Sequence, residues 1–211
     1  QAANGGAGID VFDGMADCTD VAIQWNNADS DGDHAGDGGG VRADNSTVIL
    51  RAVQQDCLLL GNSAAQGGGV YAAWGSNVRF DAASNRQYTV TGNGGLQGNG
   101  GGVGLVQGSS LRAYGNIVFS GNGAVYGGAA CITSGGTIEL GVSNGVAPRL
   151  LNNYATLDGG GICAFGAGST VQLNQVLIGA PGLGNRAQRG PVERGGGGGA
   201  ALYDGAVLDA V

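Results

Sequence analysis

Apolar and polar positions alternate along this chain in short bursts, and the bursts recur with a period of about thirty residues. Each period opens on glycines that run into an apolar residue: Gly38-Gly39-Gly40-Val41, Gly67-Gly68-Gly69-Val70, Gly100-Gly101-Gly102-Val103, Gly127-Gly128-Ala129-Ala130, Gly159-Gly160-Gly161-Ile162 and Gly197-Gly198-Gly199-Ala200. The apolar leaders are 29, 33, 27, 32 and 38 residues apart. Within a period the pattern predicts three short strands. One follows the glycines, as in Val70-Tyr71-Ala72. One follows a Gly/Ser turn, as in Ser169-Thr170-Val171-Gln172-Leu173. One runs into an asparagine, as in Ile117-Val118-Phe119-Ser120-Gly121-Asn122. Period-two alternation in segments this short, broken by glycine, excludes helices. In the second strand Val48, Val78, Leu111, Ile138, Val171 and Leu208 form one inward row. Leu50, Phe80, Ala113, Leu140, Leu173 and Ala210 form the next. Ile49, Arg79, Arg112, Glu139, Gln172 and Asp209 lie between them and face outward.

Repeats of this length stack as solenoids, so the sequence predicts an all-β, right-handed parallel β-helix of about six coils of three strands over residues 38–211. Residues 1–37 depart from the repeat and are expected to form an N-terminal cap, with a capping turn or short helix at Asp17–Trp25 and an acidic loop. The whole is one continuous domain. Asn62, Asn93, Asn122, Asn153 and Asn185 are spaced by 31, 29, 31 and 32 residues. Stacked at roughly 4.8 Å per coil, they are expected to form an internal ladder that satisfies backbone groups in the turn. Glycine, 47 of 211 residues, would suggest low complexity without this period.

An Asn followed a few residues later by Gly-Gly-[Gly/Ala]-[Val/Ile/Ala] resembles the repeat of bacterial secreted β-helix proteins. These are the pectin-lyase-like superfamily, and within it the polymorphic outer-membrane and autotransporter-type adhesin passengers. The resemblance spans residues 38–211 and implies the scaffold. Activity is left open, because the same scaffold carries lyases, hydrolases, phage tailspikes and inert stalks.

Sixteen acidic residues face nine arginines and no lysine, a formal charge of −7. No basic stripe exists to neutralise phosphates, so nucleic acid is not an expected partner. No apolar run reaches membrane-spanning length. There is also no signal peptide, so export would place Gln1 at or near a mature N-terminus. Cys131 and Cys163 hold the same place in consecutive periods, and a bridge between them is expected, with Cys18 and Cys57 as a second pair. That pairing favours an extracellular or cell-surface, oxidising location. Buried free thiols are the alternative.

Asn27-Ala28-Asp29-Ser30-Asp31-Gly32-Asp33, with Asp37, resembles the front half of a calcium loop. Its ligand set would be Asn27, Asp29, Asp31, Asp33 and Asp37, although the twelfth position is Gly38 rather than Glu. The competing reading is a solvated acidic loop. Tyr71, Trp74 and Phe165 are candidates for an exposed aromatic strip that meets sugar or protein. No catalytic residues are assigned: the only glutamates are Glu139 and Glu193, and His34 is the sole histidine. The expected function is therefore a secreted or cell-surface structural or adhesive protein. It would assemble head to tail into a fibre through an uncapped C-terminal end, and its surface would contact glycans or proteins. The alternatives are a pectate-lyase-like enzyme on polysaccharide and a piece of a longer autotransporter passenger.

Overall fold

The computed structural model describes residues 8–28, 36–188 and 197–211. These residues form a parallel β-solenoid, all-β as expected, and among them there is no helix. A full coil carries four strands rather than the expected three, and like strands stack in parallel into four sheets. Sheet I holds the strands after the glycines: Ile9–Phe12, Val41–Asp44, Val70–Ala73, Val103–Leu105, Ala130–Thr133, Ile162–Phe165 and Ala200–Tyr203. Sheet II contains Met15–Thr19, Thr47–Ala52, Asn77–Ala82, Ser110–Tyr114, Gly136–Gly141, Ser169–Asn174 and Val207–Ala210. Sheet III runs from Ile23–Gln24 through Cys57–Leu60, Tyr88–Thr91, Ile117–Ser120 and Arg149–Leu151 to Leu177–Ile178. Sheet IV, absent from the sequence expectation, comprises Ser63–Ala64, Gly94–Asn99, Gly123–Tyr126, Tyr154–Asp158 and Arg186–Ala187.

Sheet IV lies where the glycine corner leaves no room for side chains. A Cβ on Gly68 would stand 2.3 Å from the carbonyl oxygen of Gly94, and one on Gly101 would stand 2.4 Å from that of Gly123. The inward residues of this sheet are accordingly small: Ala64, Gly95, Ala124 and Ala155. With no large apolar residue to alternate, the segment has no strand signature in the sequence.

The N-terminal segment also differs from expectation. Residues 9–24 do not form a helix; they add a further coil to three sheets. Ile9 pairs with Val41, Cys18 with Leu50 and Ile23 with Leu59. Its alternation of polar and apolar residues was enough for strands, although it carries no glycine triplet.

The inward rows of sheets I, II and III meet in one core, in which Val41, Val70, Val103, Leu111, Ile138 and Leu59 are fully buried. Phe80 packs edge-on against Tyr88 and Phe119, at centroid distances of 5.2 and 5.8 Å. In the last strand Leu208 pairs with Val171 as the row predicts. It is nevertheless exposed, as is Ala210, because Val207–Ala210 is an edge strand. A serine ladder unforeseen in the sequence supports the turn from sheet I to sheet II. The Ser46 amide donates to Ser76 Oγ at 3.0 Å and the Ser76 amide to Ser109 Oγ at 3.2 Å.

Candidate functional site

The asparagine ladder is the most regular polar feature of the interior. Asn62, Asn93, Asn122 and Asn153 are buried. Each donates both its backbone N–H and its Nδ2 to Oδ1 of the next asparagine, from Asn62 through to Asn185, at 2.9–3.1 Å. The remaining Nδ2 hydrogens reach the carbonyls of Ile23, Leu59, Val90, Phe119 and Leu150. The amides of Asn62, Asn93, Asn122 and Asn153 thus use both donors, and each oxygen accepts two bonds, so burial leaves these four satisfied. Asn26 adds a member that the spacing missed: it lies 36 residues before Asn62 and makes the same pair of bonds.

The acidic loop falls partly outside the described residues, which do not include Asp29, Asp31 and Asp33. Its two described ends are fixed to one segment, with Asn27 bridged to Ser63 and Asp37 to Gln66. Its base is tight, since a Cβ on Gly36 would stand 2.0 Å from the Ala28 carbonyl oxygen. Asp37 belongs to a charged cluster on the outside of sheet I with Arg42, Asp44 and Tyr71. Arg42 donates to Asp44 Oδ2 through Nε at 3.0 Å and Nη2 at 2.7 Å, and its guanidinium lies 5.1 Å from the Phe12 ring centre. Asp44 is buried, and among the described residues its Oδ1 has no hydrogen-bond partner. Burial pushes the Asp37 carboxyl up to about 6; Arg42 opposes this and the Asp44 charge adds to it. Burial, with Asp37 and Asp44, also pushes the Tyr71 phenol up to about 12.

Cys131 and Cys163 are register partners, as the sequence indicated, and both are fully buried. All four cysteines are nevertheless free thiols, so neither expected bridge, Cys131–Cys163 or Cys18–Cys57, is formed. In-register parallel strands hold like side chains about 4.8 Å apart along parallel directions, whereas a disulfide draws the Cβ atoms to about 3.8 Å. Cys18 and Cys57 lie in different sheets, II and III. Burial, then the hydrogen bond with Cys163, raises the Cys131 thiol well above its usual range. The two thiols sit under Tyr126, Phe165 and Tyr203; Phe165 is edge-on to Tyr126 and stacked on Tyr203, both at 5.1 Å.

The three expected aromatic contacts are therefore not brought together. Tyr71 lies in the acidic cluster, Phe165 covers the thiols, and Trp74 stands apart in the turn from sheet I to sheet II, 63% exposed. The outward row of sheet II carries ion pairs instead. Arg112 meets Glu139 at 2.9 Å, as its place in the next coil predicted, and Tyr114 donates to the same carboxylate. Arg51 bridges Asp17 at 2.8 Å and Asp81 at 3.6 Å, and Arg79 meets Asp81 at 2.7 Å. A groove of about 300 Å³ follows, lined by Tyr114, Glu139, Gln172, Asn174 and Asp209. The chain matches no described protein family, no curated protein and no solved structure.

Proposed function

We propose that this chain is a structural and adhesive element of the cell surface or the secreted space, a rigid rod whose outer faces make contacts. The observation that carries the reading is the Asn26–Asn185 ladder inside a side-chain-filled core. Its buried amides are directed at one another and at the backbone, an arrangement suited to rigidity rather than to holding a ligand inside.

The edges of the stack support end-to-end association as the mode of assembly. Phe12 and Met15 are exposed in the first rung, and Val207 and Leu208 in the last. Among the described residues Ile9–Phe12 and Val207–Ala210 each pair with a strand on one side only, and such a strand can accept another. A heterologous contact between such edges propagates as a fibre. Sedimentation velocity across a concentration series tests this. Mass that rises with concentration, and falls back to monomer in Leu208→Lys, is the expected result. Monomer at every concentration would remove the assembly reading.

A second reading rests on the Asp37–Arg42–Asp44–Tyr71 cluster. A half-buried carboxyl raised to about 6 beside an arginine and a phenol is the kind of group that performs acid–base chemistry on an acidic polysaccharide, with calcium at the adjoining loop. Turnover of polygalacturonate that is lost in Asp37→Asn would establish this reading in place of the first.

A further inference from the structure

The chain has two tryptophans, and both occupy left-handed backbone positions, Trp25 at φ 58° and Trp74 at φ 56°. In the other coils the position of Trp74 is held by Asp13, Asn45, Gln107, Ser134, Gly166 and Asp204, all at positive φ. These are mostly small or amide-bearing residues that tolerate this conformation; a bulky ring there is strained. Trp25 has a packing reason for its place, because its ring lies over Gly61, where a Cβ would come within 2.4 Å. Trp74 has none of that kind. Among the described residues no ring stacks on it and no cation meets its face, and the indole stands open to solvent.

Beside Trp74 runs a groove of about 240 Å³ over Gly14 and Gly75, lined by Asn45, Ser46, Thr47 and Asn77. Asp13, two coils before Trp74 in the same turn row, is the charged residue nearest this groove in the row. Register continues the Thr47–Asn77 row through Ser110, Thr137 and Thr170, one amide or hydroxyl per coil at roughly 4.8 Å. Asn45 already occupies Asp13 Oδ1, at 2.8 Å, and the arginines and acids of sheet II pair with one another in the outward row beyond. The strip therefore holds no arginine, and its one charge, the Asp13 carboxylate bonded to Asn45, is of the sign that an acidic ligand avoids. It offers one rigid aromatic face and a rank of neutral donors and acceptors.

We propose that Trp74 is the stacking platform of a binding strip for a neutral saccharide chain. The C–H face of a sugar ring would lie on the indole, and Asn45, Thr47, Asn77 and Ser110 would meet its hydroxyls. The inference rests on the adhesive reading for its use. It is tested on dispersed protein, so a failure of rod assembly and a failure of sugar binding are scored separately.

The test titrates the full chain with cellohexaose, maltohexaose, mannohexaose and chitohexaose, with an oligogalacturonate as the acidic arm. Calorimetry is paired with indole fluorescence in a Trp25→Phe background. One neutral hexasaccharide should bind at one site per chain and shift the Trp74 emission. Trp74→Gly should weaken it by about tenfold or more. The same variant should melt at the wild-type temperature or above, since glycine relieves the backbone, which a purely structural Trp74 would not allow. Asn77→Ala should weaken binding without changing the fold. The proposal is overturned if no neutral saccharide binds, if only the acidic arm does, or if affinity survives Trp74→Gly. Binding of an unrelated peptide in place of sugar, through the same indole, would also overturn it.

Discussion

At the scale of single residues, stability depends on polar groups that have no alternative partner. Asn93 shows this. Truncated to alanine, it leaves the Asn62 amide and Nδ2 without their acceptor and removes its own bonds to Leu59 and Asn122. Orphaned buried donors cost about 1–3 kcal/mol each, so Asn93→Ala should lose on the order of 3 kcal/mol or more in urea unfolding. Arg112→Ala removes an ion pair from a mostly exposed side chain and should lose less than about 1 kcal/mol. Asp37 gives a pH signature. Its folded-state carboxyl is raised to about 6, so the folded protein holds a proton that the unfolded chain releases near 4. Its contribution is therefore present at low pH and is lost as pH rises towards and through 6. Asp37→Asn should raise the melting temperature at pH 7–8, by on the order of 2 kcal/mol in stability, and change it little at pH 4. The asparagines were legible in the sequence because their spacing is nearly constant. Asp44 was not, because no spacing marks a side chain whose role comes from what packs over it; the ladder serines keep the period, at 30 and 33 residues, but sit among other turn serines that hide them.

At the scale of elements, the glycine corner and sheet IV act as one unit, and the sequence displayed only half of it. Glycine triplets are visible as composition. The strand they press against is not, because close backbone approach permits only glycine and alanine there and removes the alternation that betrays a strand. The same contact makes a sharp prediction. In Gly101→Ala the new Cβ would lie 2.4 Å from the Gly123 carbonyl oxygen and 2.6 Å from its nitrogen, backbone atoms that cannot swing away, so the variant should fail to fold or lose its cooperative transition. Gly184→Ala places its Cβ in open space at an ordinary φ, and circular dichroism melts should show it neutral or slightly more stable. The cysteine expectation failed at this scale too. The register was right, but register alone does not bring two sulfurs to bonding geometry. Free thiols at all four cysteines leave an oxidising location without the support of bridges.

At the scale of the whole molecule, the sequence carried the architecture further than the activity. A period near thirty residues dictates stacking, and stacking dictates a continuous core, whatever the outer faces do. The proposed contacts lie on those faces, where the turn row that holds Trp74 varies from coil to coil and no period marks one residue above the others. The proposed assembly runs through the edge rungs, with a sheet-forming step between molecules like the step within one. Electron cryomicroscopy of the full chain at high concentration tests it most directly. The expected result is thin, unbranched filaments whose cross-section is that of one solenoid and whose axial spacing is about 4.8 Å throughout, joints included. Dispersed single rods at every concentration, or filaments joined side by side through the outer faces, would contradict it.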